Sequence, residues 1–264
     1  MTAKQNHKWQ SEPGSFDALH ARTRFPADNR WGIPELADAA LPHLPHYLLP
    51  YGQRVRTVEP LASVAIHFFL DDYRFERVWN RPFKAWTFLK GYEMALTPDF
   101  SLYHDWPLAL QLWNTYRSRW CGCFWQAKGL TVIPTVSWGT EESYRFCFTG
   151  IPRRGVVAVS TVGVDFRHLL SHHLFVNGYR EMVKRLEPVQ VLCYGLLPFS
   201  CGELAPVRTY PPYWTRIRAM RREREQEVER ELEEERELER EEEGGNKLHL
   251  SSELETLNSK LETS

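Results

Sequence analysis

The chain has 264 residues, enough for one large domain or one domain with an appendage, and 42% hydrophobic and 13% aromatic residues can fill a substantial core. No stretch reaches the roughly 18 apolar residues that cross a membrane, and the opening MTAKQNHKWQSEPGS lacks the apolar centre of a secretory signal. Five cysteines without a C-x-x-C pair argue against a disulfide framework and a zinc cage, so a cytoplasmic protein is expected.

The formal charge of −1 conceals a segregation. Residues 216–243 carry eight Arg against thirteen Glu, and residues 1–215 hold 23 Lys and Arg against 18 Asp and Glu. A mildly basic body with an acidic tail tolerates a polyanion without demanding one.

In chain order, residues 1–30 are polar and aperiodic, which predicts a flexible arm. Residues 31–60 contain Pro34, Pro42, Pro45, Pro50 and Pro60 and read as a loop-rich wrapping segment. Buried strands are predicted at 62–70 (ASVAIHFFL), 94–97 (MALT), 130–138 (LTVIPTVSW), 156–163 (VVAVSTVG) and 189–195 (VQVLCYG), each rich in β-branched or aromatic residues. Helices are predicted between them: RPFKAWTFLKG, PLALQLWNTYRSRWCGCFWQAKG, a short one at EESYRFCF, and FRHLLSHHLFVNGYREMVKRL. The first two close on a lysine and a glycine. Pro107 suits a first helical turn, and Asp105 is the expected N-cap.

This alternation predicts an α/β domain over residues 31–215, with a mainly parallel sheet built from repeated βα units. The sheet is either an open layer or an incomplete, modified TIM-like barrel. Five strands are too few for eight-fold closure unless 31–60 or 196–215 supplies more. Pro134 removes one ladder donor, so a bulge is expected there. Residues 216–243 predict a charged Arg/Glu helix. Residues 244–264 form a short amphipathic tail whose Leu250, Leu254, Leu257 and Leu261 have coiled-coil a/d spacing, a weak self-association motif.

In parallel α/β folds, ligands bind where loops leave the carboxyl ends of the strands. Five polar turns gather there: Asp71-Asp72, Asp99 to Ser101, Ser137-Trp138, Thr161 and Tyr194. Asp72 and Asp99 suit general acid–base catalysis, or a divalent metal such as Mg²⁺ through hard oxygen ligands. The competing reading is that these aspartates cap helices and close turns. Asp71, Ser101, Arg119, Trp138, Thr161 and Tyr194 are the candidate substrate-binding groups. Arg119 leans toward the core side of its helix, where a charge needs a carboxylate such as Asp99 or Asp105. Arg117 sits at the margin, a solvated position. The apolar arc of that helix is Leu108, Leu112, Tyr116, Trp120 and Phe124. Trp138 is a candidate stacking platform. His168 and His172 share a helix face but lack the glutamate and third ligand of a zinc site. Neither G-x-G-x-x-G nor a P-loop is present, and Ser137 and Ser160 lack the nucleophile elbow.

The motifs FLDDYRFERVWNRP, LTPDFSLYHDWPLALQLWNTYRSRW, VIPTVSW, FTGIPRRGVVAVSTVG and LEPVQVLCYG, in that order, resemble the bacterial and bacteriophage family called domain of unknown function 4417. The likeness covers about residues 60–200. It implies a compact intracellular domain met in phages and mobile elements, and it carries over no activity. Two functions are compatible with the residues. One is an enzyme acting on a phosphate-containing or nucleotide-like substrate; the other is a non-catalytic module binding nucleic acid or protein.

Overall fold

The computed structural model describes residues 24–39, 41, 43–54, 63–230, 232, 233 and 236. Two compact units are present, 1–212 and 213–264. In the second, residues 213–230 form a helix. The leucines of 250–261 and the arm before residue 24 lie outside the described residues.

Among the described residues the first unit contains seven strands: β1 (Tyr47–Pro50), β2 (Val64–His67), β3 (Met94–Leu96), β4 (Thr131–Ile133), β5 (Val156–Ser160), β6 (Gln190–Tyr194) and β7 (Val207–Tyr210). Five correspond to the apolar runs of the sequence. The other two come from the segments before and after them, and each is only four residues long. All pairings are parallel and follow chain order, β1-β2-β3-β4 in one sheet and β5-β6-β7 in another. A parallel bridge between Thr135 and Ala158 joins the two sheets. The helices are α1 (Arg77–Asn80), α2 (Pro82–Leu89), α3 (Leu108–Gln126), α4 (Leu169–Leu186) and α5 (Phe199–Gly202). EESYR of the short helix expected at EESYRFCF is a 3-10 segment, Glu141–Arg145.

The sheet curls into an incomplete barrel. In a flat sheet, β2 and β6 would be four strands apart, about 19 Å at ~4.8 Å per strand. Instead the His67 and Tyr194 rings are 4.3 Å apart, and Phe69 stacks on Tyr194 at 5.3 Å. Every strand contributes to one interior cluster: Leu48, Ala65, Met94 and Leu96, Ile133, Ala158, Leu192 and Tyr194, and Tyr210. Side chains alternate along a strand, so Val157, Val159, Val191 and Cys193 face outward. They pack there against Phe175, Val176, Tyr179, Met182 and Leu186 of α4. Burying each such apolar side chain stabilises the fold by about 1.5–3 kcal/mol. Between β7 and β1 the Tyr210 hydroxyl donates to the Pro45 carbonyl at 2.8 Å.

Pro134 produces no bulge; it ends β4. Having no N–H, it cannot continue the ladder to β3, and a side chain takes over. The Thr135 amide donates to the Thr97 hydroxyl oxygen at 2.8 Å, and the Thr135 hydroxyl donates to the Thr97 carbonyl at 2.7 Å. The Pro134 carbonyl is thereby free to turn toward β5, where it accepts from the Ala158 amide at 2.8 Å.

Candidate active site

The carboxyl ends of β2 and β3 deliver two aspartates to the barrel mouth. After β2 the chain runs through Phe68, Phe69, Leu70 and Asp71 into a 3-10 turn, Asp72–Arg74. After β3 it runs through Thr97 and Pro98 to Asp99. Thr97, before Pro98, is held extended and Pro98 fixes its own φ, so the chain leaves β3 toward Asp99 in a set direction.

Asp72 ties these two loops together. Its carboxylate accepts the Ser101 amide at 3.2 Å and the Ser101 hydroxyl at 2.8 Å. The Ser101 carbonyl accepts from Asn114 at 2.7 Å, and the Asn114 amide oxygen accepts from Arg117 at 2.6 Å. Arg117 pairs with Glu76 at 2.5 Å, which returns the network to the loop where it began. The Arg117 guanidinium also lies 3.9 Å over the Phe100 ring. Arg117 is therefore the buried, ion-paired arginine of α3, not a solvated one.

Asp99 is in a different state. The residue keeps some accessible surface, but its carboxyl sits where desolvation dominates, and burial pushes its pKa up to about 7. The Asp72 carboxylate raises it further, while a hydrogen bond to Ser137 and the charge of Arg119 oppose the rise. Two carboxyls thus share one mouth with divided tasks. Asp72 holds backbone, and Asp99 is left able to gain or lose a proton near neutral pH.

Arg119 is buried, and its donors go to the carbonyls of Thr149 (3.2 Å), Thr135 (3.2 Å) and Cys147 (2.8 Å) and to the Ser118 hydroxyl (3.3 Å). Carbonyls rather than the expected carboxylate satisfy it, which makes it a brace across three loops. Its charge still reaches Asp99. The apolar arc expected for α3 is also incomplete. Its first half turns Gln111, Asn114, Thr115 and Ser118 inward, because that face holds the loops above β3 and β4; Ser118, for example, donates to the Pro98 carbonyl at 2.7 Å. Polar residues at 111, 114, 115 and 118 have helical spacing, and that was the available signal. Asp105 does not cap α3. The N-cap is Pro107 without a side-chain bond, and Asp105 is exposed beside His104.

The remaining candidates separate. Asp71 is exposed, and its carbonyl accepts the Arg74 amide. Trp138 turns away from the interior: its indole donates to the Leu174 carbonyl at 3.1 Å, and its ring packs on Phe148 and Phe175 and against Gly178. That docks α4, and the ring stays half-buried. Thr161 and Tyr194 form a second group, with the Thr161 amide donating to the Tyr194 carbonyl at 3.0 Å. Gly195 beside them adopts φ +110°, and a Cβ there would lie 2.2 Å from the Thr161 hydroxyl.

His67 was not among the sequence candidates. It ends β2 at the same inward parity as Ala65 and is fully buried. Its Nδ1 accepts the Phe69 amide at 3.1 Å, which assigns the proton to Nε2, and Nε2 has no hydrogen-bond partner among the described residues. Burial lowers its pKa to about 3, so the ring is neutral at physiological pH. A histidine inside the apolar run ASVAIHFFL was its only signature.

For a metal, the donor set is thin. Among the described residues there is no group of three or more His, Cys, Asp or Glu side chains placed to hold an ion. Asp72 is already committed to Ser101, and burial favours the protonated form of Asp99, a poor ligand. The five cysteines are free and buried, with the Cys147 thiol pushed up to about 12 by burial.

The profile of a family described as a domain of unknown function, DUF4417, matches residues 25–210. The chain belongs to this family. The DUF4417 match is wider than the 60–200 expected from the motifs; it takes in β1 and ends with β7, leaving the charged helix outside. Gene 1 protein of Mycobacterium phage L5 is 43% identical over 213 residues, covering 80% of this chain and 91% of that protein. Gene 1 protein of Mycobacterium phage D29 is 41% identical over 213 residues, covering 80% and 77%. Both of these relatives are phage proteins. No solved structure matches the chain, and no helix among the described residues is long and apolar enough to cross a membrane.

Proposed function

We propose that the chain is a cytoplasmic enzyme that performs acid–base chemistry at the barrel mouth, with Asp99 as the group that donates and accepts the proton. The observation that carries this reading is the Asp99 carboxyl poised at about 7, since a general acid–base works best when its pKa lies near the operating pH. Asp72 acts as its fixed neighbour, positioning the loop and sustaining the raised affinity for a proton. A phosphate-containing or nucleotide-like substrate remains part of the proposal, but its charge must meet cations other than Arg117 and Arg119, which are engaged by Glu76 and by carbonyls. Five buried free thiols suit a reducing compartment.

The test is a panel of nucleotides, short oligonucleotides and phosphodiesters incubated with the full chain and with Asp99→Asn, products being separated by ion-exchange chromatography. A substrate turned over by the wild type should lose about 10²–10⁴-fold in rate in the variant. Equal turnover by both would end the assignment.

A further inference from the structure

The outer wall formed by residues 73–84 has a composition that the mouth does not explain. Tyr73 is 80% exposed and Phe83 66% exposed. Between and beside them Arg74, Arg77, Arg81 and Lys84 are all exposed, while Phe75, Val78, Trp79, Pro82 and Ala85 face the core. Backbone hydrogen bonds tie the positions of the cations together across the junction of α1 and α2: Arg81 N–H donates to the Arg77 carbonyl and Lys84 N–H to the Arg81 carbonyl. Residues 73–84 contain one carboxylate, Glu76, and Arg117 neutralises it from behind. The ammonium of Lys128, at the end of α3, lies 5.3 Å from the Phe83 ring and extends the positive surface. The four cations come from a 3-10 turn and two short helices that meet at Arg81, enough for several phosphates of one strand.

We propose that this wall is a binding track for single-stranded nucleic acid, with the cations on phosphates and Tyr73 and Phe83 stacking on bases. Exposed rings set among cations fit a strand whose base faces are free; a duplex hides those faces, and an acidic peptide has none. The inference is independent of the acid–base reading, because binding requires no proton transfer.

The experiment is fluorescence anisotropy of the full chain with fluorescein-labelled dT and rU oligomers of 12 nucleotides, from 50 to 300 mM NaCl. Four phosphate contacts give a slope of log K against log salt of about −3, at ~0.7 per phosphate for a single strand. Arg77→Gln/Arg81→Gln should reduce that slope by about 1.4 and weaken binding at 50 mM salt by roughly tenfold or more. Tyr73→Ala should weaken it about fivefold or more with the slope unchanged. Both variants change exposed groups, and urea melts confirm folding. Wild-type affinity in the double variant would overturn the proposal. So would a Glu-rich peptide that competes equally while Tyr73→Ala has no effect, which would assign the wall to an acidic protein. The Asp99 titration should be unaltered in Arg77→Gln/Arg81→Gln, which separates failure of the track from failure of the site.

Discussion

Replacing Asp99 by Asn tests the site through stability alone, before any substrate is known. The folded carboxyl titrates at about 7 instead of 3.8. Below pH 3.8 both folded and unfolded chains carry the proton, and the site costs nothing. As pH rises from 3.8 to 7 the unfolded chain ionises freely while the folded one resists, so stability falls by about 1.4 kcal/mol per pH step. Above pH 7 the loss is complete, at ~4 kcal/mol. Asn has no proton to lose, and its amide oxygen can still accept the Ser137 hydrogen bond. Asp99→Asn should therefore match the wild type near pH 3.5 and exceed it by up to ~4 kcal/mol at pH 8. His67 sharpens the comparison. Its lowered pKa of about 3 makes stability fall as pH drops from 6.5 toward 3, a slope opposite to that of Asp99. In the wild type the two oppose each other between pH 4 and 6.5, and in the variant the His67 slope stands uncovered. Urea unfolding of both chains at pH 4, 6 and 8 measures this, and the thermal midpoint at pH 8 should rise by roughly 10 °C. A difference independent of pH, or a variant less stable at pH 8, would refute the enclosed-carboxyl argument.

Asp72→Ala should untie the loops above β2 and β3, destabilising the chain by about 2 kcal/mol through the lost Ser101 bonds; with its repulsion gone, Asp99 should titrate below 7, read by carbon NMR of the carboxyl. Arg117→Met leaves Glu76 and Asn114 without their partner. It should cost about 2–3 kcal/mol, less than the ~3–5 of a fully buried pair, because the Glu76 side chain is 36% exposed; urea unfolding measures the loss. Gly178→Ala places a Cβ 2.1 Å from the Trp138 indole nitrogen and should destabilise by about 1–3 kcal/mol, with red-shifted tryptophan emission.

The long βα alternation was legible because its strands are apolar and β-branched and its helices end on glycine or basic turns. β1 and β7 were not, for a physical reason. YLLP and VRTY are four-residue strands bordered by prolines, and what makes them strands is the neighbour each pairs with. Asp72 and Asp99 could be placed from their position after strands, but their division of labour could not. Which carboxylate holds backbone depends on where Ser101 comes to rest. Asp105 satisfied a capping pattern that Pro107 itself filled. The roles of Arg117 and Arg119 depended on whether carbonyls or carboxylates surround each guanidinium, and helical spacing does not contain that information.

The Pro134 junction has a mechanical consequence. On either side of it, strands pair over two to five residues, whereas β4 and β5 meet through the Ala158 amide and carbonyl. The molecule thus has a fault line along its length, with His67 on one half and Tyr194 on the other. Breathing along that line would part the two rings and loosen the loops around Asp99 while each half stays whole. In amide exchange it would appear as Val136 and Ala158 losing protection ahead of Val132 and Leu192.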